Sequence, residues 1–528
     1  MNQTAPRDFQ STVILYGPPG SGKSTVGRLL AQRLNLPFVD LDEEIEARAG
    51  RPIPEIFATC GERHFRAMEQ RSLANALAQP GPMVVALGGG ALLDASSRAQ
   101  AETHGHVVLL TASSETLLAR LGQGTGEERP LLAGNSESRL HTLLACRSEH
   151  YASFPISVDT TNKKPAEVAW EVQVRLGRFR LQGMESRNHP AYDVLVHPGG
   201  LQHLGEALTT RSLQGPVAVV TDHNVGSLYL DQVVDSLRKS GFQTYGTTIP
   251  AGEQYKTLET IAHLWEAFSK TRIERRSTVV ALGGGVVGDL SGFAAATWLR
   301  GVPWVVVPTS LLAMVDASLG GKTGADLPQG KNLIGAFYPP RLVLADPHLL
   351  ATLPDIEFAN GLAEVVKHSV IGDAGLLPEV RIDHEDPSSL VRRAMAVKVR
   401  VIEADPYEEG QRAALNFGHT VGHGVEMASG FRLRHGEAVA IGMVAEARLA
   451  EDIGLAAPGL ANDIATVLME INLPTEIPPD LDTSAIVAAM QRDKKKSDGV
   501  VRFALPVTVG DVRVGVEVPG WEKAIREH

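Results

Sequence analysis

Short apolar runs bounded by glycine or polar residues alternate along this chain with stretches whose apolar positions recur every three to four residues. In the first 176 residues, runs at Ser11–Tyr16, Phe38–Asp40, Met83–Leu87 and Val107–Leu110 predict strands, and Lys23–Leu34, Gly61–Ala78 and Ser136–Tyr151 predict helices. Runs without polar alternation belong to strands covered on both faces, and strands alternating with helices make βαβ units around a parallel sheet. Both periodicities lapse over residues 177–190, GRFRLQGMESRNHP, which reads as a short junction. The strand pattern resumes at Tyr192–His197, Pro216–Thr221, Ser277–Leu282 and Trp304–Val307, then fades beyond about Asp355, where long helical patterns run to about residue 475. The prediction is an α/β protein: a domain over 1–176 with a parallel sheet, a linker over 177–190, and a domain over 191–528. The last divides into an α/β nucleotide-binding part (191–354) and a mostly helical part (355–528), with a site expected in the cleft between those two parts.

Composition narrows the class. The 528 residues, 43% hydrophobic and 21% charged, suit two or more soluble globular domains. A net charge of −11 argues against a nucleic-acid partner, which calls for a basic surface. No apolar run reaches the roughly 18 residues of a membrane span, and the opening MNQTAPRDFQ lacks the apolar core of a signal peptide, so a cytoplasmic location is expected. Two cysteines, Cys60 and Cys146, are too few for a disulfide framework. None lies beyond residue 146, so a metal site in the second domain must draw on His, Asp or Glu.

The strand Ser11–Tyr16 runs into Gly17-Pro-Pro-Gly20-Ser21-Gly22-Lys23-Ser24-Thr25, a G-x-x-x-x-G-K-S loop in the strand–loop–helix setting that motif needs. Such a loop wraps backbone N–H groups around the phosphates of ATP, with the positive helix end behind them. Lys23 reaches the β- and γ-phosphates and Ser24 ligates Mg²⁺. Asp40 and Asp42 follow a strand, at the sheet edge where α/β proteins bind ligands; an acid there holds Mg²⁺ through water or orients an attacking hydroxyl, and Asp42 can also cap the next helix. Arg66, Arg129 in a Gly-rich loop, and Arg147 stand on separate elements, and Gly88-Gly89-Gly90 follows another strand. Guanidinium groups bind carboxylate and phosphate bidentately, so the set suits a small acidic acceptor.

In the second domain the strand Ser277–Leu282 leads into Gly283-Gly284-Gly285-Val-Val-Gly288-Asp289, a G-x-G-x-x-G match opening a helix, although the acidic residue expected about 20 residues later is missing. Asp222 and Asn224 can serve a ribose instead, and Glu253 and Lys256 add an acid and a base after a strand. His419 and His423, at i and i+4 on one helix face, are the metal pair that spacing selects. Glu364, with Lys367 at i+3, and His435 offer further ligands, and a set of two His and one Glu leaves a catalytic metal an open position. Asp316, Lys322, Lys331, Asn332, Lys398, Arg412 and the Asp493–Lys496 run, including Lys494, form a polar inventory suited to phosphate. Much of it lies in Gly-rich segments such as ASLGGKTGADLPQGKNLIGAF, whose backbone can approach a ligand closely.

Taken together, GPPGSGKSTVGRLLA, FVDLDEEIE, IFATCGERHFRAME, LGGG, ERPLL and Arg147-x-x-x-Tyr151 resemble shikimate kinase from Ser11 to about Leu176. The resemblance implies that Asp42, Arg66, Gly88–Gly90 and Arg147 hold shikimate, that Arg129 closes over the phosphates of ATP, and that Asp40 with Ser24 organises magnesium and the attacking hydroxyl. The motifs PAGEQYK, LGGGVVGDLSGFAAATWLRG, DASLGGKTG, GKNLIGAFYPP, GLAEVVKH, RAALNFGHTVGHGVE, HGEAVAIGM and RDKK, in that order, resemble 3-dehydroquinate synthase from about Ala191 to Glu517. This second resemblance implies zinc, replaceable by cobalt, on Glu364, His419 and His435, which moves His423 to the substrate side. It implies NAD held by Asp222, Asn224, Glu253, Lys256, Gly284, Gly285, Asp289 and Thr309. A heptulosonate phosphate would be held by Arg300, Asp316, Lys322, Lys331, Asn332, Lys398, Arg412, Asn416, His423 and Lys494, with Lys322, Lys367, Arg412 and His423 in the chemistry. The implied reaction passes a hydride to NAD⁺ and back, loses phosphate in between, and closes a carbocycle by an aldol step, with no net redox. A homodimer through the C-terminal domain is also implied.

Two further readings stand beside a bifunctional enzyme of aromatic biosynthesis. One joins a P-loop kinase to a metal-dependent polyol dehydrogenase, which would accumulate NADH, or to another sugar-phosphate cyclase. The other makes one half a non-catalytic module, a state in which Lys23, Asp42, Arg66, Glu364, His419 and His435 would be under no constraint to remain together.

Overall fold

The computed structural model describes residues 11–122, 136–182, 191–382, 385–494 and 500–527. The chain divides into two compact units, Met1–Arg180 and Leu181–His528. Among the described residues no helix is long and apolar enough to cross a membrane.

In the first unit, β1 (Thr12–Tyr16), β2 (Phe38–Asp40), β3 (Val84–Ala86), β4 (Gly105–Thr111) and β5 (Ser157–Asp159) form one sheet in the order β2-β3-β1-β4-β5, paired in parallel. All five residues of β1, TVILY, are buried. Ile14 and Tyr16 enter the core on one face, Val13 and Leu15 that on the other, which is why the strand carries no polar alternation. Register then positions the site. Leu15 and Asp40 both stand opposite Ala86, so the loops after β1, β2 and β3 leave the sheet side by side at its carboxyl edge. The helix expected from Gly61 begins earlier, at Ile53, and runs to Leu77 with a break at Gly61 (φ 78°, ψ 165°). The apolar period continues across that residue, but its φ lies where glycine is favoured.

β6 (Arg178–Leu181) ends on the first residue of the second unit, in which β7 (Tyr192–Val196), β8 (Gln214–Asp222), β9 (Thr244–Ile249), β10 (Ser277–Gly283) and β11 (Trp304–Pro308) are followed by a hairpin, β12 (Lys322–Leu327) and β13 (Gly330–Phe337), and by β14 (Leu342–Ala345). The main sheet has the order β6-β7-β14-β11-β10-β8-β9. β10 is central and buried at every residue. Its end is level with those of its neighbours: Leu282 faces Thr221 and Gly283 faces Pro308. Asp222, Gly284 and Thr309 therefore emerge together. β6 occupies the start of the expected linker. Phe179 and Leu181 are buried between half-exposed arginines, an alternation only four residues long and too short to register as a strand. Two glycines of the 317–337 segment serve the hairpin itself: a methyl on Gly324 or Gly335 would lie 2.4 or 2.1 Å from a carbonyl oxygen of the paired strand.

From Asp355 onward helices dominate: Asp355–Gly372, Ser388–Ala404, His419–Ala428, His435–Asp452, Leu460–Glu470 and Thr483–Lys494. A second hairpin, β15 (Phe503–Thr508) and β16 (Asp511–Val516), lies in the part expected to be mostly helical. Phe503 and Leu505 join Val421, Ile441 and Leu449 in one core.

Candidate active sites

Gly22, in the left-handed region at φ 89°, caps the helix Lys23–Leu34 without a side-chain acceptor, leaving the first N–H groups for a ligand. Lys23 Nζ donates to the carbonyls of Gly17 (2.9 Å) and Pro18 (3.0 Å), so its ammonium lies over the loop. Ser21 is buried, Ser24 half-buried and Thr25 exposed. Arg120 braces this loop: it donates to Thr160 Oγ1 (2.9 Å), Thr160 O (2.7 Å) and Gly20 O (3.4 Å).

Asp40, not Asp42, caps the helix Leu41–Ala49, its Oδ1 accepting from Asp42 N at 3.1 Å. The strand ends with Asp40 in extended backbone, the conformation a cap requires. Asp42, two residues on, approaches Gly88: a methyl there would lie 3.1 Å from Asp42 Oδ1 and 2.4 Å from Glu69 Oε1, and a methyl on Gly90 would lie 2.7 Å from the Arg66 guanidinium. Arg147 Nη1 donates to Gly89 O at 2.5 Å, and Tyr151 donates to the same carbonyl at 3.2 Å. Asp42, Arg66, Gly88–Gly90 and Arg147 thus meet in one place. Glu69 joins them unforeseen. It is buried and accepts from Arg66 at 2.7 Å; burial pushes its carboxyl above the ordinary value, against the pull of Arg66. Its signal was available, an acid at i+3 from Arg66 on a helix. Arg129 lies outside the described residues.

At the edge of the second sheet, Gly284 caps the helix Gly285–Thr297. A methyl on Gly283 would lie 2.6 Å from Val287, and one on Gly285 3.3 Å from Ala317. A cavity here is lined by Gly283, Gly284, Gly285, Gly288, Asp289 and Lys322, among others. Asp289 pairs with Lys256 (2.7 Å), which donates to Asn332 Oδ1 (2.6 Å). Asp222 Oδ1 caps the helix His223–Lys239, accepting from Asn224 N and Val225 N. Thr309 is buried, its N–H on Gly283 O at 3.0 Å. Lys331 pairs with Glu426 at 2.9 Å and with Glu253 at 3.8 Å.

Deeper in this unit Glu364, fully buried on the helix Asp355–Gly372, has Oε1 3.5 Å from Nε2 of both His419 and His435. The ligand atoms of these three residues lie within 4.8 Å of one another, a spacing that suits a metal ion. His419 directs Nδ1 to Phe417 O at 3.2 Å, which turns Nε2 toward Glu364; outer-shell contacts of this kind fix the tautomer of a ligating histidine. His423, the partner chosen by spacing, is exposed; it forms a different group with Glu426 and His435. A shared helix face brings rings together, 5.3 Å apart here, but does not supply the carboxylate.

Burial acts to raise the Glu364 carboxyl, but Lys367 in direct contact holds it well below the usual range. Asp316 closes the charge network, with Lys398 Nζ at 2.7 Å, Lys367 Nζ at 3.6 Å and His368 Nε2 at 3.7 Å. Lys322 pairs with Glu408 at 2.7 Å. Arg412 is almost fully buried and donates to Pro406 O at 2.5 Å. Arg300 is exposed on a left-handed turn with Leu299, and Asn416 is exposed at the end of a short turn. The side chain of Lys494 lies outside the described residues. His368, Glu408 and Glu426 were missed because their partners come from other elements or lie across a loop.

The shikimate kinase family model matches residues 19–176, and the N-terminal and C-terminal 3-dehydroquinate synthase models match 246–360 and 361–496. The chain is 45% identical over 341 residues to the 3-dehydroquinate synthase of Rippkaea orientalis and 47% identical over 342 residues to that of a Synechococcus strain, covering 62% of this chain and 93% of each relative. The chain belongs to the 3-dehydroquinate synthase family, with a shikimate kinase domain before it. Among solved structures, the 2-epi-5-epi-valiolone synthase of Streptomyces hygroscopicus, with NAD⁺ and Zn²⁺ bound, is 30% identical with a TM-score of 0.60, over 65% of this chain and 97% of that one. The protein is thus a bifunctional shikimate-pathway enzyme, a kinase joined to a synthase, and the polyol dehydrogenase reading is not favoured.

Proposed function

We propose that the kinase unit transfers the γ-phosphoryl of MgATP to shikimate through the groups gathered at its sheet edge. Gly20–Thr25 cradle the phosphates, and Lys23 leaves the carbonyls of Gly17 and Pro18 for them. Ser24 and a water on Asp40 hold magnesium. Arg66, Arg147 and the Gly88–Gly90 backbone hold the acceptor's carboxylate, Asp42 orients its hydroxyl, and Arg129 closes over the transferring group.

The synthase unit converts a heptulosonate phosphate to 3-dehydroquinate and phosphate. The buried Glu364 flanked by two histidine nitrogens carries this reading, because the set suits zinc or cobalt. NAD fits the sheet edge, where Gly284 and Gly285 let backbone approach a pyrophosphate and Asp222, Asn224, Glu253, Lys256, Asp289 and Thr309 surround it. When bound, the metal polarises a substrate hydroxyl and NAD⁺ carries a hydride out and back. Lys367 stays charged against Glu364 and Asp316 and fixes their geometry. Lys322, Lys331, Lys398, Arg412, Arg300, Asn332 and Lys494 hold phosphate and carboxylate, with Asn416 on the substrate. His423, on the exposed side of the cluster, exchanges protons with the substrate. A homodimer through this unit and a cytoplasmic location complete the reading; the latter suits the exposed, unbridged Cys60 and Cys146.

The test supplies the purified chain with the heptulosonate phosphate. Phosphate release that stops with a chelator and accumulates no NADH is expected. Release indifferent to chelation overturns the metal assignment, and net NADH from a polyol would favour the dehydrogenase reading.

A further inference from the structure

The helix His419–Ala428 presents one candidate metal ligand at its first residue, and the helix His435–Asp452 presents another at its first residue. Their separation therefore depends on how the two helices cross. Three glycines set the approach. A methyl on Gly442 would lie 2.0 Å from Gly418 O and 2.7 Å from Gly422 N; one on Gly422 would lie 3.0 Å from Ala438 O. Gly418, at φ 77°, caps the first helix but has no side chain to accept from its leading N–H groups. Those donors are buried against the partner helix, where an unmet donor is costly.

Glu446 meets them from across the crossing. It is fully buried, Oε2 accepts from Gly418 N at 2.7 Å, and Oε1 accepts from Val421 N at 3.0 Å. The two bonds straddle His419. Burial pushes this carboxyl up to about 8 even though it accepts backbone N–H groups of Val421, Gly418 and Thr420. An acid kept in so unfavourable a place would be replaced by an apolar residue at no loss if packing were its only task.

We propose that Glu446 is a positioning residue for the synthase: a cap supplied in trans by the helix of His435 that fixes the helix of His419, and so sets the distance between two ligands of the metal. The inference rests on the zinc reading of that site. Both carboxyl oxygens of Glu446 accept an N–H here, a carboxamide keeps one such oxygen, and a methyl group none, so the loss should be graded.

The experiment uses the full chain loaded with zinc and measures affinity by competition with a chromogenic chelator, alongside thermal unfolding. Glu446→Gln should weaken zinc by about tenfold and Glu446→Ala by up to about a hundredfold, the span seen when outer-shell partners of metal ligands are removed. Leu449→Ala, a cavity change in the same core on the same helix, should lower the unfolding temperature with zinc affinity unchanged. Excess zinc should restore phosphate release to Glu446→Gln more fully than to Glu446→Ala. Wild-type affinity in both Glu446 variants, or a loss no greater than that of Leu449→Ala, overturns the inference. If Glu446→Ala does not fold, the Gln variant against Leu449→Ala decides alone. A wild-type chain whose zinc binding is indifferent to His435→Ala would instead overturn the zinc reading itself.

Discussion

Both units use the carboxyl edge of a parallel sheet, yet they fill it with different chemistry. In the kinase unit the ligand-facing groups are largely backbone and arginine: a loop ending in Gly22, three glycines of which Gly88 lies against Asp42 and Glu69 and Gly90 against Arg66, and guanidinium groups held by a carbonyl (Arg147) or by the buried Glu69 and exposed Glu62 (Arg66). In the synthase unit the metal set is carried by helices, where the buried Glu364, Lys367 and Lys398 compensate one another through the partly exposed Asp316. The difference concerns what holds the site in place. Loop conformation is local and survives the loss of one side chain. A buried charge network is held by its own members, so removing one leaves another unpaired in a medium that cannot solvate it.

The largest expected effect follows from that contrast. Glu364→Ala takes from buried Lys367 the nearer of its two acid partners and removes the carboxylate between His419 and His435. It should cost about 3–5 kcal/mol of synthase-unit stability, empty the site of zinc and abolish phosphate release, with shikimate-dependent ADP formation unchanged. Metal analysis and urea unfolding check this; a variant that keeps its zinc would break the comparison. Lys23→Ala is the counterpart. Losing one positioned cation over the phosphates should slow shikimate phosphorylation by about 100- to 1000-fold, while stability moves by no more than about 0.5 kcal/mol and phosphate release stays at the wild-type rate. A large fall in unfolding temperature would show that the loop depends on its lysine after all.

Smaller changes sharpen the point within the kinase unit. Gly90→Ala puts a methyl 2.7 Å from the Arg66 guanidinium, whose flexible end can move away. The shikimate KM should rise about tenfold, the value of one charge-assisted hydrogen bond, with kcat and unfolding temperature nearly unchanged; an unaltered KM would remove Arg66 from the acceptor site. The smallest effect concerns Asp159, whose Oδ1 accepts from Thr161 N (2.9 Å) and Oγ1 (2.7 Å). These bonds hold the carboxyl below its ordinary value. A depressed carboxyl stabilises the fold above its unfolded value, about 3.9, and that contribution disappears as pH falls through the folded value. At this exposed position Asp159→Asn should cost less than about 1 kcal/mol at pH 7, and the two proteins should converge in acid. A difference that persists once acid has protonated the carboxyl in both folded and unfolded chains would assign the effect to packing rather than charge.

The legible part of the molecule is the part whose cause is local. The strand at Thr12–Tyr16, the loop that follows it and the helix Lys23–Leu34 are all readable from adjacent residues, because glycine φ, strand burial and helix capping act over a few positions. β6 and the hairpin β15–β16 were not readable: short strands are chosen by the neighbours they pair with, and RFRL or FALPVT alone does not name those neighbours. The helical cap moved from Asp42 to Asp40 for a local reason that sequence reading underweighted, namely that the strand's last residue is already extended. Glu69 and Glu426 close two of the motifs, Glu408 and Glu446 lie outside them, and all four gain meaning from whatever they touch.

Sequence by itself therefore determined the α/β order of elements, the phosphate loop and the stock of residues able to bind metal, phosphate and carboxylate. Tertiary structure decided which of them meet. His419 and His423 are neighbours by helical period, but His419 and His435 stand on either side of Glu364 because two helices cross over glycines 418, 422 and 442. Periodicity specifies a face of one helix, whereas a metal ion needs ligands converging from several directions, and only packing between helices provides that.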